Sequence, residues 1–525
     1  MAKPVKFFLS FLVSWAIFAA FVPHTIFAAG DFKASYQTEY FAKESGEIKV
    51  TQNVTIENLT SQYFVSQYKF TIGSRVIKNV KGWDPNGSLT PQIKKEDEET
   101  TITLKFKARV LGKGNKLKFG ISYDFPDLAK KNGLVWELNL LKISGLDNIS
   151  IYNLTVSVPQ SFGPLLYSFP EPAAQAKKGE RTTITFNKGG LLEGAPRLAF
   201  GKFQLYSLSL SYHLKNPSIG LGYTEIALPP DILGYQKIIQ NSLLPSPDLI
   251  RVDDDGNYLA RYNLGPLEKI DVIWKGLIAL FYPERDFGNK TAKDIHTDLV
   301  QTYAQEQKYW ETSAVEIKAQ AAKLTNPKLS VAENLKNIYN FVTQNLSYSY
   351  QKLETGELVR LGALEALSQK ESAVCMEYTD LFIALARSSG IPAREVNGYA
   401  YTSDDTDRPL SLRLEGGDVL HAWPQAYIPQ TGWVMVDPTW GSTSGSSYFS
   451  TFDLSHLAFV IKGESSEYPL PAGSYKTDPN QKDVVVSLSE NIDVLEEEPN
   501  LEVAIEFAPY VIAPFQTKAV IKVKN

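Results

Sequence analysis

The chain reads as an α+β protein with a long β-rich N-terminal stretch, a mixed helix-and-strand region near residues 297–465 and a short β segment at the end. Three observations predict this. Apolar residues alternate with polar ones from Asp31 to about Tyr223. The 3.6-residue stripe of amphipathic helices appears from Leu299 to about Leu324 and again from Leu335. Alternation then returns at Val434 and after Lys482. At roughly 100–200 residues per domain, 525 residues suggest three or four domains. With 43% hydrophobic and 21% charged residues, the chain is globular rather than disordered. A net charge of −5 offers no basic excess for a nucleic-acid partner, and one cysteine excludes a disulfide framework or a Cys-rich metal site.

Residues 1–29 carry Lys3 and Lys6, an apolar run from Phe7 to Val22, then Ala28 and Ala29. That order is a secretory signal, or an uncleaved anchor tethering the chain to a membrane. The rest is therefore expected outside the cytoplasm, secreted or on the cell envelope.

Residues 30–223 form the first expected domain. Ile102, Leu104, Phe106, Ala108 and Val110 alternate with Thr, Lys and Arg; Leu117 to Phe125 and Tyr206 to Leu214 repeat the pattern. Turn signals such as Asn86-Gly87 and Gly112-Lys113-Gly114 separate the runs. Half-buried antiparallel strands of a β-sandwich account for this. The acidic Glu96–Glu99 stretch reads as a solvated hairpin tip. Residues 224–296 form a β-rich connecting segment. Its Asp253-Asp254-Asp255-Gly256-Asn257 lacks the ligand spacing and distal Glu of a calcium loop and reads as a turn. In residues 297–465, Ser330 and Glu333 make a capping box for a helix with its stripe at Leu335, Ile338, Tyr339, Val342 and Leu346. Residues 466–525 hold the acidic linker Glu496-Glu497-Glu498-Pro499 and a β tail, too short for a sandwich unless it borrows strands.

Cys375 carries the chemistry. Ser372 is the expected cap of a helix that ends at Gly390-Ile391-Pro392, with Tyr378, Leu381, Phe382 and Leu385 on its buried stripe. That places Cys375 in the first turn, where the helix dipole favours the thiolate, so its thiol is expected to alkylate faster than a model thiol. The bland alternative is a small buried hydrophobe.

His421 is the expected base, opening the strand His421–Tyr427; after Pro429-Gln430-Thr431-Gly432 the chain returns as Trp433–Asp437. Alternation puts Ala422, Ala426, Val434 and Val436 on a core face and turns His421, Trp423 and Asp437 towards the Cys375 helix. Pairing Tyr427 with Trp433 makes His421 a diagonal neighbour of Asp437, within hydrogen-bond reach. Cys375, His421 and Asp437 then form a nucleophile, base and orienting carboxylate. His456 is expected outside the triad, in a loop after Asp453. Cys375 and His421 lack further ligands for a metal, and no cofactor is expected.

Arg360-Leu361-Gly362-Ala363, Cys375–Leu381, Gly390–Tyr399, His421-Ala422-Trp423 and Gly432–Trp440 resemble the transglutaminase-like superfamily, which has a papain-like core. The resemblance covers roughly residues 300–465. It departs at Ala373, where a Gly commonly precedes the nucleophile, and at Gln425, where Glu is frequent. It implies an α+β fold with β-sandwich-type N-terminal domains, a transglutaminase-like core and a short C-terminal β segment. It also implies an exported cysteine acyl enzyme acting on protein or peptide amides, by transfer to an amine or by hydrolysis. A peptidase on the same core, or a non-catalytic cell-surface binding or structural module, are the alternatives. Trp423, Trp440 and Tyr399 are candidates to line a substrate channel, with aromatic core packing as the competing reading.

Overall fold

The computed structural model describes residues 31–524, apart from 402–411, 414–418, 493–501, 508–518 and short gaps at 63, 75, 97–98, 127, 142–144, 147–148, 284, 356–358, 445–446, 450 and 478–480. The leader at 1–29, the acidic hairpin tip and the acidic linker lie wholly or partly outside the described residues. No helix among the described residues is long and apolar enough to cross a membrane.

The chain divides into two compact units, one reaching to Lys202 and including Ser444–Thr451, the other holding Phe203–Thr443 and everything from Phe452. The first unit is β-rich. Its main sheet has eight strands, with Phe32–Ala42 at the centre, antiparallel to Ile48–Asn58 and parallel to Ile151–Pro159. Alternation explains the burial. Ile48, Val50, Val54 and Ile56 are enclosed, while the intervening Lys49 and Asn53 are exposed. A three-stranded sheet of Gln67–Ile72, Glu99–Lys105 and Gln92–Glu96 and a four-stranded sheet complete the unit. Phe70, Ile102, Leu104 and Phe119 lie in one hydrophobic core.

The second unit begins earlier than the expected boundary at 223. Strand Gln204–Lys215 pairs along its whole length with Lys269–Leu280, and its other edge takes Val484–Leu488 from the tail. Backbone pairing overrides the uniform alternation that had assigned Gln204–Lys215 to the first domain. The tail thus lends a strand to this sheet. His213 links this sheet, with Nδ1 2.6 Å from Asp271 on the neighbouring strand and Nε2 3.2 Å from Asp483 just before the tail strand.

The core of this unit packs the helices Val315–Leu324, Val331–Asn345 and Cys375–Ser388 against a five-stranded sheet. In that sheet Ala393–Ala400 lies between Val419–Ile428 and His456–Lys462. The Ser330 capping box forms, and the predicted stripe from Leu335 to Leu346 is buried. The connecting segment attaches to the strand His456–Lys462 through buried side chains. Gln236 bonds to Ala458 in both directions, Asn257 does the same with Ile461, and Asp255 accepts from Gly463. The Asp253–Asn257 run is a turn: Asn257 N–H donates to Asp253, and Gly256 takes φ 91°.

Candidate active site

Cys375, expected within the first turn, is the first residue of its helix, and Ser372 is not the cap. Val374 occupies that position. The buried Glu377 carboxylate accepts from the N–H of Val374 (2.9 Å) and from that of Leu361 (3.0 Å), satisfying a helix-end donor that Ser372 was expected to meet. The helix is anchored farther along by Asp380. Its carboxylate accepts from the Trp310 indole (2.9 Å) and from Arg360 (2.9 Å), and Arg360 also reaches Glu395 (2.7 Å) on strand Ala393–Ala400. This buried network ties the helix of Cys375 to the sheet.

The sheet supplies His421, and Asp437 follows the end of strand Gly432–Met435, just before helix Pro438–Ser444. Tyr427 pairs with Trp433, the register the catalytic reading required. Gln430 (φ 75°) and Gly432 (φ 90°) turn the chain between them. Nε2 of His421 donates to Oδ2 of Asp437 at 2.8 Å, with both side chains fully buried. The other oxygen, Oδ1, accepts from the backbone N–H of Trp440 (3.0 Å) and so fixes the carboxylate at the start of helix Pro438–Ser444.

The faces of the strand differ from expectation. Ala422, rather than Trp423, packs on Val374 and Cys375. Trp423 turns to Phe452 and His456, and its indole N–H meets the sulfur of Met435 at 3.3 Å. The helix covers the small side chains because they let it approach the sheet closely. The sulfur therefore lies against the residue following His421. Among the described residues Nδ1 of His421 has no hydrogen-bond partner, so thiol and imidazole are not bonded here. Thiol–imidazole contacts of this kind commonly tighten only with substrate.

The electrostatics also run against the helix-dipole expectation. Burial pushes the Cys375 thiol well up from its ordinary value; the backbone N–H of Ala422 opposes this, while Glu377, Asp437 and Glu395 add to it. Burial therefore works against the faster alkylation expected from helix position alone. For Asp437, burial favours the neutral form, but the imidazoles of His421 and His456 outweigh it and hold the carboxyl far below the usual range.

His456 is the residue the sequence misplaced. It begins the strand His456–Lys462, fully buried, with Nε2 3.1 Å from the same Oδ2 of Asp437 and Nδ1 2.8 Å from Asp453. The spacing Asp453–His456, three residues apart, was the available signal. His421, Asp437 and His456 each bring one metal-capable atom within 4.8 Å of the others, so a third ligand exists where the sequence offered none. The contacts at 2.8 and 3.1 Å are those of N–H donors on a carboxylate. A metal would need both nitrogens bare, and we read the trio as a hydrogen-bonded network.

Trp423 and Trp440 are fully buried, and Trp440 lies 5.7 Å from His421 and 4.5 Å from His456, ring to ring. Both pack around the imidazoles rather than line an open channel. Tyr399 is half-buried on strand Ala393–Ala400, opposite Leu457.

Cys375, His421 and Asp437 follow one another in this chain order, the first on a helix start and the second on the sheet. The family model for the transglutaminase-like superfamily matches residues 318–438, and this part of the chain is a transglutaminase-like domain. A second model, described as the N-terminal domain of a predicted membrane protein (DUF2207), matches residues 34–195. YebA, an uncharacterised protein of Bacillus subtilis (strain 168), is 23% identical over 199 residues, which are 37% of this chain and 25% of that protein. The chain thus spans a quarter of that relative. Among solved structures, a candidate cysteine protease from Cytophaga hutchinsonii is 13% identical and covers 55% of this chain and 99% of its own, with a TM-score of 0.36. The periplasmic domain of TgpA from Pseudomonas aeruginosa is 18% identical and covers 45% of this chain and 90% of its own, with a TM-score of 0.23.

Proposed function

We propose that this chain is an exported cysteine acyl enzyme that acts on amide bonds of proteins or peptides, with Cys375 as nucleophile, His421 as base and Asp437 as the orienting carboxylate. The observation that carries the reading is the buried His421–Asp437 hydrogen bond of 2.8 Å, which leaves Nδ1 as the open face of the imidazole. Asp437 accepts only, so Nε2 holds a proton, and Nδ1 serves as base in the tautomer that leaves it bare. His421 Nδ1 takes the thiol proton as sulfur adds to the carbonyl carbon. The C–N bond then breaks, and the same proton passes to the leaving amine. The thioester left on Cys375 goes to water or to a second amine. The backbone N–H of Cys375, at the helix start, is the donor suited to the oxyanion.

A thiol whose burial holds its proton suits proton transfer concerted with attack rather than a standing thiolate. The test is incubation with an amine donor and a Gln-containing protein, scored by mass spectrometry for thioester, amide or cleavage products. Cys375→Ala should lose all products and still fold. Products that persist in Cys375→Ala would defeat the assignment. A chain that forms no thioester with any such substrate would favour the binding-module reading.

A further inference from the structure

The cluster behind Asp437 has a chemistry that the triad does not use. Both ring nitrogens of His456 face carboxylate oxygens: Nδ1 is 2.8 Å from Asp453 and Nε2 3.1 Å from Asp437. An ionised carboxylate accepts and never donates, so each nitrogen must carry a proton. Oδ1 of Asp453 is held in turn by the N–H of Ser455 at 2.9 Å. The rings of Phe452 (4.4 Å), Trp440 (4.5 Å) and Trp423 (5.0 Å) wall the imidazole. The charged groups facing it are Asp453 and Asp437, with His421 beyond at 5.6 Å between ring centroids.

We propose that His456 is a positioning residue for the triad: an imidazolium clamped between Asp453 and Asp437, it fixes the Asp437 carboxylate and cancels part of its charge at the thiol and at His421. This rests on the triad reading above. Cys375 already faces Glu377, Asp437 and Glu395, and Tyr348 packs beside it. Three anions around one thiol oppose its ionisation, and His456 is the cation set against one of them. Burial opposes charge on His456, but Asp453 and Asp437 more than offset it, in keeping with the geometry.

Asp453→Asn separates charge from shape. The Asn oxygen can keep the Ser455 N–H, while the charge that favours a proton on Nδ1 is gone, so the neutral ring with its Nε2–H on Asp437 is favoured. His456→Gln removes the ring. The readout is the alkylation rate of Cys375, the single thiol of the chain, by iodoacetamide as a function of pH with a chelator present. Below the midpoint, the loss of a unit charge at this range should lower the rate roughly 10- to 100-fold, equivalent to an upward shift of about one to two pH units. A merely structural role predicts the opposite sign, because a loosened site exposes a buried thiol and speeds its reaction. Selective 13C-histidine labelling, with the His456 signal assigned by loss in His456→Gln, should show a protonated ring at pH 7. A neutral His456 at pH 7, or rates in folded Asp453→Asn and His456→Gln equal to or above that of the unmodified chain, overturns the proposal. His421→Gln separates the two readings. If it slows alkylation while the other two variants do not, the triad stands and only His456 falls. If it leaves the rate unchanged, the triad falls and takes this proposal with it.

Discussion

Asp437→Asn is the substitution that should damage both folding and chemistry, and the structure says by how much. Oδ1 accepts from Trp440 N–H, and an Asn oxygen can keep that bond. Oδ2 accepts from His421 (2.8 Å) and His456 (3.1 Å), and the Asn NH2 group would face two donors instead. Two charge-assisted bonds are lost, at about 1.5–3 kcal/mol each. His421 can recover one by moving its proton to Nδ1 and accepting from the amide. The expected net loss is therefore about 2–4 kcal/mol, a little under the roughly 3–5 kcal/mol of a broken buried ion pair. That same tautomer puts a proton on the nitrogen that should receive one from the thiol. Turnover should fall on the order of 10⁴-fold, the cost of the wrong tautomer in a hydrolase triad. Denaturant unfolding followed by tryptophan fluorescence, with kcat/KM on any substrate found, measures both. A folded Asp437→Asn chain within tenfold of full activity would refute the tautomer argument and the role given to Asp437.

Three further outcomes follow from the same geometry. Arg360→Met should destabilise the second unit by about 3–5 kcal/mol, because it strands the carboxylates of Asp380 and Glu395 in the interior; an unfolding midpoint unchanged within error would show that the network is neutral. Cys375 in the native chain should react with iodoacetamide at neutral pH more slowly than a free thiol, since burial and three nearby anions oppose the thiolate; a rate at or above that of the free thiol would restore the helix-dipole expectation. His456 is raised above the ordinary histidine value, so its ion pairs contribute stability that is complete below about pH 6.5 and is lost as pH rises through the raised value. Asp437 is depressed, so its share is present above about pH 3.9 and is lost only as pH falls towards its low native value. The stability gap between the unmodified chain and His456→Gln should thus be widest in mildly acid buffer and narrow at alkaline pH; a gap that widens with pH would contradict the imidazolium.

Local rules carried the sequence a long way. The Ser330 and Glu333 capping box, the helical stripe that follows it, the start of a helix at Cys375 and the pairing of Tyr427 with Trp433 all depend on residues within a few positions of one another, where periodicity and turn chemistry operate. The approach of His421 to Asp437 was legible for the same reason, because a hairpin of known register converts sequence spacing into distance. What lay beyond reach depended on residues far apart in the chain. Strand Gln204–Lys215 alternates like its predecessors, but its partners, Lys269–Leu280 and Val484–Leu488, come from elsewhere, and pairing rather than pattern sets its domain. The Cys375 thiol was judged from its helix position, whereas its surroundings include Glu395 and Asp437, on elements that only the fold brings close. Alternation assigned faces to the strand, but not which face the helix would choose; close packing decided that, by laying the helix start on Ala422. His456 sits 81 residues after Cys375 (456 − 375) and looked like a loop residue, until the sheet placed it beside the carboxylate that His421 also holds.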